Sequence, residues 1–200
     1  MRRRCRLNYI LEPVVIGDGT VQYVRIKATL SFEVHNMTPE SRDYRFIFSI
    51  EPSPHTELIS EVKFISIDVR DCETPIHLNE DDFHSSQKVN ATGWITNEPF
   101  LFKIMSAQPA TVILTYQKIA FLDGGFSNFF IVDSTSGFEW KAHSQIEGLD
   151  LFCYSHIPLE IEEGVEYQPR FNDYHWTVRR VLLPYQGLYL AWSKKASQTA

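Results

Sequence analysis

From Arg25 to His35 the chain alternates without a break. Ile26, Ala28, Leu30, Phe32 and Val34 are apolar, and Arg25, Lys27, Thr29, Ser31, Glu33 and His35 stand between and around them. Successive side chains of an extended chain point to opposite faces, so this spacing builds a half-buried strand that no helical register accommodates. The same period returns from Asp43 to Ile50, with Tyr44, Phe46, Phe48 and Ile50 inward. It returns again from Val62 to Val69 (Ile65, Ile67, Val69) and from Val112 to Ile119 (Val112, Leu114, Tyr116). Further strands are expected at 129–132, 138–143, 149–154, 176–183 and 187–192. The polar turn Asn36–Ser41 predicts a hairpin between the first two of these strands.

Strands of this length with no long amphipathic helix between them predict an all-β fold, an antiparallel β-sandwich. The layout of Leu30–Ile50 is echoed by Leu114–Val132, and that of Phe100–Tyr116 by Trp176–Trp192. The echo predicts two tandem immunoglobulin-like sandwiches. Residues 1–19 are then a basic N-terminal arm and lead-in strand, 20–110 the first sandwich and 111–200 the second. Two stretches resist the pattern. Glu57–Ser66 has helical spacing but is weighted toward strand by its Ile and Val content. Cys72–Gly93 is a polar excursion with at most one helical turn, and a loop of that length is the first candidate for a functional loop.

Charge and cysteine usage bound the function. The 19 Lys+Arg and 25 Asp+Glu leave a net charge of -6, which argues against bulk nucleic-acid binding. Arg2, Arg3, Arg4 and Arg6 concentrate positive charge at the start, which reads first as a solvated arm, with weak contact to an anionic membrane surface as the alternative. No apolar run approaches the roughly 18 residues of a transmembrane helix, and Asn8, Glu12 and Pro13 interrupt any secretory signal. Cys5, Cys72 and Cys153 lack C-x-x-C pairing, so neither a disulfide framework nor a zinc ribbon is expected, and a reducing cytoplasm is. Cys153, on one strand face with Leu149 and Leu151, is expected to be a small buried hydrophobe.

The search for chemistry returns little. The seven histidines form no H-E-x-x-H, and His77 and His84 flank the acidic Glu80–Asp82 without the glycine of an EF-hand loop. There is no G-x-S-x-G elbow, and the acidic run Glu160–Glu166 reads as a solvated surface. No metal, cofactor or catalytic residue is therefore expected. The one suggestive constellation is Arg170, Tyr174, Arg179, Arg180, Tyr185 and Tyr189, rings and guanidinium groups able to stack on a base and hold a phosphate. Arg179 and Arg180 are adjacent, so on a regular strand one would face inward unless a bulge intervenes. The leading expectation is a non-catalytic binding module for a protein partner, acting through loops and one sheet face. The alternatives are a nucleotide-sensing domain of a bacterial signalling or defence system using that constellation, and a self-associating structural subunit.

Overall fold

The computed structural model describes residues 1–16, 19–89, 91, 93–130, 133–155, 165–170, 173–184 and 186–194. Its strands in chain order are β1 (Arg2–Ile16), β2 (Thr20–Val34), β3 (Arg42–Phe46), β4 (Ser49–Ile50), β5 (Lys63–Arg70), β6 (Ile76–Leu78), β7 (Gln87–Val89) and β8 (Ile95–Asn97). They continue with β9 (Phe100–Ile104), β10 (Ala110–Phe121), β11 (Gly125–Phe130), β12 (Thr135–Ser144), β13 (Leu149–Ser155), β14 (Val165–Arg170), β15 (Asp173–Leu182) and β16 (Gly187–Lys194). A 3-10 turn at Thr56–Glu61 and the helix α1 at Glu80–Ser86 complete the set. The chain is nearly all β, as its alternation requires.

The frame is one large sheet in the order β14-β15-β12-β1-β2-β10-β5-β6. It takes strands from both sides of residue 110, and β2 and β10 are paired from Ala110↔Val34 to Phe121↔Tyr23. The arginine-rich start is a strand that leaves Arg3, Arg4 and Arg6 exposed and buries Arg2. It is β1, at the centre of this sheet, between β2 and β12. The β1–β12 pairing is parallel, a departure from the antiparallel expectation. Parallel neighbours need a long crossover, and the residues between Ile16 and Thr135 supply it.

The faces follow the alternation closely. Ile26, Ala28, Leu30, Phe32 and Val34 are all buried, as are Val112, Leu114 and Tyr116. In β5 the buried set is Phe64, Ile67 and Val69, whereas Ile65 is only half-buried. The register between β5 and β10 shifts at Thr115/Tyr116, so one extra residue moves the inward set from even to odd positions partway along β5. The expected hairpin of β2 with β3 does not form: β2 has β1 and β10 on its two edges, and β3 pairs with β9. The turn at 36–41 instead carries the chain from one layer to the other, and Phe46 meets Phe32 with tilted rings, centroids 5.7 Å apart.

The inner face of the large sheet is covered in two parts. The sheet β11-β16-β13 lies over the β1–β12 side, with Phe129 stacked on Phe138 at 5.5 Å and the Ser127 hydroxyl 2.9 Å from that of Tyr9. The pair β3-β9, the sheet β4-β8-β7 and α1 lie over the β2–β10–β5 side, through Phe48 on Tyr116 (4.9 Å) and Phe83 on Phe64 (5.1 Å). The helix α1 exceeds the single turn expected. Asn79 caps it by accepting from the Asp81 and Asp82 amides while Asp82 accepts from the Asn79 amide, and buried Phe83 pins it to the core.

Gly125 opens β11 where the cover meets β10. A Cβ there would overlap the Phe121 carbonyl oxygen and the Trp192 indole, which are themselves joined by a 2.9 Å Nε1–H···O bond. Neither backbone nor buried indole can retreat. Gly125→Ala is expected to lower stability by about 2 kcal/mol, read as a lower denaturant midpoint at unchanged slope. A midpoint equal to that of the parent chain would contradict this packing.

Candidate functional site

Among the described residues the two parts of the cover share no strand pairing. Between β11 and the β3–β4 segment lies a cleft of about 400 Å³ whose floor is the large sheet itself. Leu30 and Arg2 form the floor, Phe46, Ile47, Phe48, Ser49 and Trp94, which leads into β8 beside β4, one wall, and Asn128 and Phe129 the other. Apolar walls with a few placed polar groups are the usual composition of a small-ligand site.

Arg2 is the unexpected member. Cys5, Leu7, Tyr9 and Leu11 are the inward residues of β1, so strict alternation would send Arg2 outward. It is turned inward by a bulge. Arg4 adopts a left-handed φ of 49°, and the β1–β2 register shifts between Arg3 and Arg6. In the neighbouring parallel strand Gly137, φ 73°, sits at the same level. One strand further, Arg179 and Arg180 together oppose Gly137, the bulge that two adjacent arginines called for. The irregularity thus crosses β1, β12 and β15 on one line and re-aims the first residue of β1 into the core.

There the guanidinium is only 6% exposed and lies over the Phe32 ring at 4.3 Å, with Phe46 at 5.9 Å. It donates from Nε (3.0 Å) and Nη2 (2.9 Å) to the Tyr44 hydroxyl and pairs through Nε with Asp133 at 3.0 Å. Tyr44 in turn donates to Asp133 at 2.7 Å. Burial pushes the Tyr44 phenol up to about 12, against the pull of the Arg2 charge and with the Asp133 contact adding to the rise. It therefore stays a neutral donor. Cys5, on the same strand, is also pushed by burial to about 12 and remains a thiol.

A second depression, about 420 Å³, lies on the outer face of the large sheet beside Asn8, Lys141, His143, Asp173 and His175. Its walls are polar groups already engaged with one another. His143 Nδ1 is 2.5 Å from Asp173, and Glu139 receives His175 Nε2 at 2.8 Å and Lys141 Nζ at 2.9 Å. Arg6 Nε adds a further contact to Glu139 at 3.2 Å. This is a solvated ladder of ion pairs, and the apolar cleft with a buried cation is the better site.

Of the C-terminal constellation, the described side chains of Tyr174, Arg179 and Tyr189 lie apart. Tyr174 is 4% exposed, in the core. Arg179 lies exposed on the outer face of the large sheet. Tyr189 is on the outer face of β16, its ring 6.4 Å from that of Phe126 and across the sandwich from Arg179. Arg170 pairs in register with Asp173 and Arg180 lies within β15, but their side chains, that of Cys153, Tyr185 and residues 160–164 are outside the described residues. His77 pairs with Asp68 rather than with Glu80–Asp82, and among the described residues no group of three His, Cys, Asp or Glu could hold a metal. Also among the described residues, no helix is long and apolar enough to cross a membrane.

In sequence the chain matches no protein-family model and no curated protein. Solved structures are similar in shape. A "putative nutrient binding protein" from Legionella pneumophila is 7% identical with a TM-score of 0.51, over 96% of this chain and 67% of that one. That likeness shows a shared fold. A "putative protease" from Parabacteroides distasonis is 11% identical with a TM-score of 0.44, over 97% of this chain and 40% of its own. An M1 zinc metallopeptidase variant from Deinococcus radiodurans is 10% identical with a TM-score of 0.37, over 95% of this chain and 42% of its own. The chain spans about two fifths of the length of these last two.

Two expected outcomes test the site's frame. Arg4 is a non-glycine residue in left-handed backbone with a 77% exposed side chain, so Arg4→Gly should be neutral or stabilise by up to about 1 kcal/mol. Gly137→Val imposes the same conformation on a branched residue and should destabilise by about 1–2 kcal/mol. Urea unfolding of both variants decides, and the opposite order would refute the bulge line. On the outer face, burial raises the Glu139 carboxyl, but bonds from Lys141 and His175 outweigh it and leave the native value below the ordinary range. A depressed native pKa contributes stability that is present above the unfolded value and lost as pH falls through the native one. Glu139→Gln should therefore flatten the acid side of the stability profile, and an unchanged slope would show that the ladder contributes nothing.

Proposed function

We propose that this chain is a non-catalytic binding module whose site is the cleft over Arg2. The observation that carries the reading is the divided cover: among the described residues its two parts share no strand pairing, and they leave an apolar gap floored by a buried, stacked guanidinium. The polar groups around it suit recognition. The Ser49 hydroxyl and Asn128 amide stand at the walls, and the Tyr44 phenol that holds Arg2 keeps its proton at neutral pH. Within this reading the chain is one sandwich with a split cover, since strands from either side of residue 110 share a sheet and a core.

The neutral solvatochromic dye Nile red tests the cleft without involving charge. It should bind with a blue-shifted, enhanced emission. Ser49→Phe, an exposed position on the wall, should weaken it about tenfold, the loss of roughly one well-packed side chain's worth of contact. Equal dye affinity in the parent and the Ser49→Phe chain, both folded by circular dichroism, would remove the cleft from consideration.

A further inference from the structure

The donor geometry of Arg2 says more about the ligand than the shape of the cleft does. A guanidinium offers five N–H donors in a rigid plane. Tyr44 and Asp133 engage Nε and Nη2, and among the described residues no acceptor meets Nη1. The side chain is 7% exposed and lines the cleft, and Nη1 is not fully enclosed but open to the water that the cleft admits. An oxygen supplied by a ligand would replace that water and bond the guanidinium in a poorly screened setting.

The charge balance identifies the acceptor. Asp133 is 43% exposed, so its field is largely screened by solvent, whereas that of Arg2 acts from inside the core. Seen from the cleft, the net potential is positive. A single negative charge on a planar fork matches the guanidinium edge, and a dianion would cost more to desolvate than one half-compensated cation returns. We infer that the cleft over Arg2 takes an apolar monocarboxylate, its carboxylate received by the Nη1 edge of Arg2 and its body lying along Phe46, Phe48 and Phe129. The Phe32 stack and the Tyr44 hydroxyl hold the guanidinium in place to receive it. The inference rests on the cleft reading above and adds the class of ligand.

Octanoate, 1-octanol and octylamine share one chain and differ only at the head. Isothermal titration of the full chain should show octanoate binding about tenfold tighter than octanol, with octylamine weakest. Arg2→Lys, which keeps the charge but loses the planar fork, should erase most of the difference between octanoate and octanol. Because a change at this buried position could unfold the chain, Asp133→Asn is the companion variant. It frees Arg2 of its internal anion at a half-exposed site and should tighten octanoate several-fold while leaving octanol unchanged. Octanol binding as tightly as octanoate, or no gain for octanoate in Asp133→Asn, overturns the carboxylate assignment with the cleft intact. If none of the three probes binds and Nile red also fails to bind, the cleft reading itself is lost.

Discussion

A single line of backbone irregularity across β1, β12 and β15 determines what the inside of this sandwich contains. At Arg4 and Gly137 the chain takes one left-handed step in each of two parallel neighbours, and inward and outward exchange places beyond it. On the C-terminal side of that step the inner face is Cys5, Leu7, Tyr9, Phe138 and Trp140, an unbroken apolar surface. On the other side the inward residues are Arg2 and Thr135, both polar and both buried. A regular sheet would have put Arg3 there instead, against the same aromatic rings and without Tyr44 in reach of an Nε edge.

The interactions around Arg2 stabilise a fixed geometry more than they stabilise the fold. A buried ion pair seldom gains much over an apolar replacement of equal volume. Its left-handed neighbour Arg4 adds local strain, which folded chains tend to retain at sites of use. The other buried cation makes a useful contrast. Lys118, nearly enclosed, is matched directly by Glu51 at 2.7 Å, and the nearby Tyr9, Tyr116 and Ser127 hydroxyls bond one another. That polar island is satisfied by the chain. Arg2 meets protein acceptors through Nε and Nη2 while its side chain also lines the cleft.

Most of the strands were legible because one face of each is buried and the other wet, and period two is the direct imprint of that asymmetry. Inward residues of β2, β4, β10 and β12 follow from it position by position. Sheet order was not legible, because it depends on which edges meet in space. The turn at 36–41 reads equally well as a hairpin and as the step between layers that it is, and nothing local announces that β1 will lie parallel to a strand that begins at residue 135. The site was hidden for a related reason. Four arginines in six residues look solvated by composition, and the signal that one is inside lies in Gly137 and the adjacent Arg179–Arg180, far along the chain. Glycine within a strand pattern is a known mark of a bulge, but its effect here falls on a neighbouring strand. Nearness in sequence does not bring Arg179, Tyr174 and Tyr189 together: Tyr174 and Arg179 lie on opposite faces of β15, and Tyr189 is in the other layer.

The parallel union of β1 with β12 also governs the order in which the molecule is completed. Contacts between segments so distant in the chain form slowly, because a large loop must close before they repay its lost freedom. During folding β1 therefore keeps one edge bare until the segment up to Ser144 is in place. Phe32 and Phe46 precede that segment, but Asp133 arrives with it, so the last contact of the guanidinium and the closing of the large sheet belong to the same step.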